Sequence, residues 1–198
     1  MPNGTLDTSF GIGGRLSTEL GEVQDVAILA DGSILLAGTV RTDSGGDDFG
    51  VVKLLVDGTL DVGFGGHGLA VADIRGQGYD DRGRSIALLP NGGFVIAGAA
   101  GNSSSFTTDF GIAKFDDNGF LDFSFGTGGR QYVQFDPISS SDDEARDVLI
   151  DVYPASSTYK IVLIGTGMRP GGSDHDFALA RLTSNGQLDP GFGTQGKV

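Results

Sequence analysis

Asp57-Gly58-Thr59-Leu60-Asp61-Val62-Gly63-Phe64-Gly65-Gly66-His67-Gly68 is the stretch on which the reading of this chain turns. Nearly the same twelve residues stand at 3–14, 118–129 and 185–196. The shared pattern is Asn/Asp-Gly-x-Leu-Asp-x-x-Phe-Gly-x-x-Gly. Asn/Asp-Gly is a turn signal, because both residues tolerate positive φ. Leu6, Leu60, Leu121 and Leu188 offer an apolar anchor, and the Asp that follows (Asp7, Asp61, Asp122, Asp189) can accept backbone N–H bonds in an Asx-type turn. Phe10, Phe64, Phe125 and Phe192 each bring a large ring, with glycines beside it that let the backbone bend around it. The motif is therefore expected to be a structured loop between strands, its Phe buried between neighbouring units.

Outward from the motif the chain repeats. Leu6 to Leu60 is 54 residues, Leu60 to Leu121 is 61, and Leu121 to Leu188 is 67. The expectation is a single repeat domain over residues 1–198, with units at about 6–59, 60–120 and 121–187 and a partial fourth motif at 188–198. After each motif comes a short stretch (15–20, 69–74, 130–135), then an apolar run such as Val26-Ala27-Ile28-Leu29. Asp31-Gly32 and Asn91-Gly92 predict hairpin turns, replaced in the third unit by a longer tip at 153–158. A returning strand follows, Ile34-Leu35-Leu36-Ala37-Gly38 in the first unit, then a polar loop. The last strand (48–54, 109–115, 176–182) carries bulky apolar residues on one face and small ones on the other. Both faces want cover, unlike a strand with one wet face. Residues 142–151 could be drawn as a helix, but their place in the repeat predicts a strand.

Units of four short antiparallel strands that bury both faces describe a propeller blade. The expected class is all-β, β-propeller-like, with three four-stranded antiparallel blades, a partial or half propeller. The pattern resembles the delta-60 repeat family of large bacterial proteins. That family's Asp-Gly-Lys-Ile-Leu-Val-Ala-Gly, Asp-Phe-x-Leu-Ala-Arg-Leu and Asp-Gly-x-Leu-Asp-x-x-Phe-Gly are met here at 31–38, 176–182 and 57–65. The resemblance implies a β-propeller-like fold and adds little about activity.

Thirty-five of the 198 residues are Gly, against about 7 % in ordinary proteins, with no period of three to suggest collagen. The formal charge of −13 argues against nucleic acid, which calls for Lys and Arg clusters. There is no cysteine, so disulfides and thiolate metal sites are excluded. No apolar run approaches the roughly 18 residues of a membrane-spanning helix. An extracellular or cell-surface location is expected, with any signal outside this stretch.

No catalytic signature stands out. Gly63-x-Gly65-x-x-Gly68 and Gly191-x-Gly193-x-x-Gly196 copy the dinucleotide fingerprint, but they are slices of the repeat and lack the helix it requires. The two histidines, His67 and His175, have no second His at ligand spacing, and no catalytic residue is assigned. Asp48, Asp109, Asp174 and Asp176 are weak calcium candidates, because Ca²⁺ gathers carboxylates from loop ends. The plainer reading is that the strand-start Asp residues satisfy backbone donors. Gln24, Asp25, Arg84, Arg146 and Asp147 begin the expected innermost strands and form a candidate ligand-binding lining of a central channel. The expected function is a non-catalytic scaffold or recognition module with no cofactor, calcium excepted. The alternatives are a calcium-assisted carbohydrate-binding module and a propeller hydrolase or lyase. The expected partner is a second copy closing a six-bladed ring, or neighbouring repeats of a longer chain.

Overall fold

A computed structural model of the chain describes residues 4–18, 20–43, 45–102, 107–135, 142–153, 158–168 and 174–198. The tip at 154–157 and parts of the polar loops lie outside the described residues, as does Asn3. The chain is all-β, three antiparallel blades in a partial propeller. Blade 1 contains β1 (Glu22–Ile28), β2 (Ile34–Arg41), β3 (Asp47–Leu54) and β4 (Leu69–Ala72), paired in that order. Blade 2 repeats the meander with β5 (Arg82–Leu88), β6 (Phe94–Gly101), β7 (Thr108–Phe115) and β8 (Arg130–Val133). Blade 3 has β9 (Glu144–Tyr153), β10 (Thr158–Met168) and β11 (His175–Thr183). Among the described residues its outer position holds Lys197-Val198, where Leu179 and Val198 exchange amide–carbonyl bonds of 2.8 and 2.9 Å. Residues 144–151 are indeed strand, and no helix among the described residues is long and apolar enough to cross a membrane.

Residues 15–18 lie outside the strands of this chain, and Arg15 bridges Gly11. The expected hairpins at Asp31-Gly32 and Asn91-Gly92 are present, joining β1 to β2 and β5 to β6 as antiparallel pairs. Gly32 N–H donates to Leu29 O at 2.9 Å and Leu29 N–H to Ser33 O at 2.8 Å, the pattern of a type I turn with a left-handed Gly (φ 86°). The motif leucines anchor unequally: Leu6 and Leu60 are 52 % and 38 % exposed, whereas Leu121 and Leu188 pack half-buried against the two cores. Each lies over the closing glycine of its motif, where a Cβ on Gly68 would stand 2.7 Å from Leu60.

Burial shows how the blades stack. Every residue of β6 is buried, because blade 2 is covered on both faces. Along β10, buried and half-exposed residues alternate, as expected of a strand covered on one face. One core lies between blades 1 and 2, with Leu35, Ala37, Phe49 and Val51 against Ile86, Phe94, Ile96 and Phe115. A second joins Val95, Ala97, Phe110 and Ile112 to Val148, Ile161, Leu163 and Ala180.

Candidate functional site at the blade junctions

The motif proves to be a clasp. Asp7, Asp61, Asp122 and Asp189 each accept an N–H from two residues on, at 3.0–3.1 Å. Three of them also meet a base from the strand just left: Lys53 with Asp61 at 3.2 Å, Lys114 with Asp122 at 2.9 Å, and Arg181 with Asp189 at 2.9 Å. Sequence reasoning missed these bases, although one recurs at the same strand position in all three units. The Ser124 hydroxyl holds Asp122 down to about 2; burial opposes this and Lys114 assists it. The amide after each of the first three motif Phe residues then reaches the next unit, with Gly11 N–H on Asp57 O at 2.8 Å, Gly65 on Asn118 at 2.7 Å and Gly126 on Asn185 at 2.9 Å. The next unit's turn glycine lies on the ring itself: a Cβ on Gly119 would stand 2.8 Å from Phe64, and one on Gly186 3.1 Å from Phe125. Phe64 and Phe125 are accordingly 2 % and 0 % exposed. Phe10 and Phe192, at the chain ends, are only half-buried.

The expected channel residues stand at the inner edge, where β1, β5 and β9 lie side by side. Gln24, Arg84 and Arg146 are the unpaired residues of a β-bulge repeated in each inner strand. The bulge explains Gly38, Gly98 and Gly165 opposite it. A Cβ there would fall 1.8–1.9 Å from the carbonyl oxygens of Glu22, Arg82 and Glu144. Asp25, Ser85 and Asp147 occupy equivalent positions, and the fold brings them together. Ser85 Oγ stands 3.0 Å from Asp25 Oδ2 and 2.9 Å from Asp147 Oδ1, so its one proton bridges one carboxylate at a time. Arg84 and Arg146 both turn to Glu144, at 2.5 and 2.8 Å, and Arg146 and Glu144 line a cleft of about 450 Å³ with Arg82, Asp142 and His175. Gln24 is exposed and joins none of these bonds.

The calcium candidates do not come together. Asp174 and Asp176 are exposed on blade 3, while Asp109 is paired with the Arg75 guanidinium, which also stacks 3.8 Å over Tyr132. Asp48 instead meets Asp73 and Asp81, neither of which sequence reasoning singled out, beneath the loop from blade 1 to blade 2. Asp73 holds that loop closed by accepting from Gly76 N–H at 2.6 Å and Gly78 N–H at 3.0 Å. Asp81 ties it across the junction, accepting from Ile74 N–H at 2.6 Å and Gly101 N–H at 2.7 Å. Burial pushes the Asp81 carboxyl up to about 7 and raises Asp48 as well. Asp48 takes the Thr42 hydroxyl at 2.5 Å, and not a backbone donor as its strand-start position suggested. The repeat offered one usable sign: an Asp precedes the inner strand in the second and third units, as Asp81 and Asp143.

Residues 29–64 and 160–192 match the family model described as a domain of unknown function (DUF5122) beta-propeller. The two segments cover corresponding parts of blades 1 and 3, so the match supports a propeller-repeat reading of the chain. No curated protein matches it.

Proposed function

We propose that this propeller repeat module is a non-catalytic scaffold that builds a larger ring by stacking blade on blade, with a second copy of the chain as its partner. The resemblance to delta-60 repeats fits that role. One observation carries it: Phe49 and Phe110 are 0 % exposed, yet their blade 3 counterpart Phe177 is 89 % exposed. With Phe177 on the open face of blade 3 stand Leu149, Val162, Ile164 and Leu179, all exposed or half-exposed. They are the counterparts of the residues that blades 1 and 2 bury against their successors.

The open face of blade 1 supplies the other half. Val26, Ile28, Ile34 and Leu36 there match Ile86, Leu88, Phe94 and Ile96, which take the preceding blade in the internal junction. Gly4 has open space where Gly58, Gly119 and Gly186 each receive a Phe ring, and Phe192 is the ring left half-covered. Each end thus presents the half that the other needs. Propellers hold about four to eight blades, and two chains of three make six with two-fold symmetry. A paired interface also hides the open sheet edge of blade 3.

Light scattering at micromolar concentration tests this. The expected mass is twice the chain's 20.4 kDa, and Phe177→Asp is expected to halve it without loss of the β spectrum. A wild-type monomer, or a dimer indifferent to Phe177→Asp, overturns the proposal.

A further inference from the structure

The junction between blades 1 and 2 carries a second feature, independent of self-association. We propose that Asp48, Asp73 and Asp81 form a site for one hard divalent cation of the Ca²⁺ class. One oxygen of each carboxylate lies within 4.8 Å of the other two. Oxygens on opposite sides of a Ca²⁺ ion bound at 2.3–2.6 Å stand roughly 4.6–5.2 Å apart, so the three acids can share one ion with little movement. Asp81 is 0 % and Asp48 1 % exposed.

The independent observation is an orphaned atom. Asp48 Oδ2 is occupied by Thr42, but Asp48 Oδ1 is buried without a hydrogen-bond partner. A buried carboxylate oxygen left bare is costly, and a cation would satisfy it. Among the described residues no Lys or Arg side chain pairs with any of the three acids.

The next junction shows what the fold does when a base is at hand. There Asp109 takes the place of Asp48, Gln134 that of Asp73 and Asp143 that of Asp81, and Arg75 pairs with Asp109. Two carboxylates and one guanidinium nearly balance. At the first junction three carboxylates stand with no base, and like charges held this close disfavour one another's ionisation. The donor set is all oxygen, which selects Ca²⁺ or Mg²⁺ over softer metals. Ca²⁺ fits better, because its coordination is flexible and water can complete it. Asp73 and Asp81 also clasp the loop 74–80, so an ion here would lock that loop to both blades.

The competing occupant is a proton shared among the acids, and the test separates the two. Full-length protein is stripped with EDTA, exchanged into buffer at pH 7.5, and titrated with CaCl₂ or MgCl₂ by calorimetry and thermal melting. The expected result is one Ca²⁺ per chain, with Tm raised by about 5–10 °C at a hundredfold excess over Kd. Asp48→Asn is expected to melt no lower than wild type in EDTA and to lose the Ca²⁺ shift. Asp73→Asn, at a half-exposed position, is expected to lose the shift too and serves if the buried variant does not fold. No response of the wild type to millimolar Ca²⁺, or a shift that survives in the variants, overturns the site.

Discussion

The four motif phenylalanines show how one residue type takes its value from its neighbours. Phe64 and Phe125 are enclosed by the next unit's turn glycine, while Phe192 has no such cover. Phe64→Ala or Phe125→Ala is therefore expected to cost about 3–5 kcal/mol in chemical denaturation, the usual range for a buried ring. Phe192→Ala, measured in the same way on monomeric Phe177→Asp protein, is expected to cost less than half of that. The motif aspartates make a second residue-scale prediction. Asp122 is held at about 2, below its ordinary 3.8, first by the Ser124 hydroxyl. A depressed carboxylate pKa stabilises the fold above the unfolded value, and that contribution is lost as pH falls through about 2. Ser124→Ala should lower stability by a constant amount above about pH 5, a loss that shrinks as pH falls through about 2, and so shift the acid-unfolding limb of a pH titration upward. These pairings were half legible in the sequence: the Asp recurs with its turn, but the base that meets it lies eight residues earlier, across a strand crossing.

At the scale of the element, the glycines separate two physical causes. Gly92 has φ of +86° with nothing near its missing Cβ, so Gly92→Ala meets only the left-handed backbone penalty, about 1–2 kcal/mol. Gly98 needs no unusual φ, yet a Cβ there would fall 1.9 Å from the Arg82 carbonyl oxygen across the bulge. Gly98→Ala must displace backbone and is expected to cost more than Gly92→Ala, with equilibrium urea unfolding as the comparison. The recurring glycine of the second strand, at 38, 98 and 165, was visible in the sequence. The bulge that requires its glycine was not, because a bulge is a relation between two strands.

For the whole molecule, the telling contrast is between the fully buried β6 and the alternating burial of β10. If the open faces meet in a dimer, thermal stability must depend on protein concentration, because association stabilises by mass action. A hundredfold dilution is expected to lower Tm for the wild type and to leave Phe177→Asp unchanged; differential scanning fluorimetry reads both.

The sequence by itself determined the all-β class, the number of units, the strand order within each and the motif's Asx turns. All of these rest on local periodicity and turn chemistry, which a single unit carries within about sixty residues. Only the tertiary structure decided which faces are covered, that Asp48 meets Asp73 and Asp81, and that Arg75 goes to Asp109. Those outcomes depend on how one blade seats on the next. Strand-start aspartates that look equivalent in the repeat receive different neighbours from the adjoining loops, and no spacing along the chain encodes that choice.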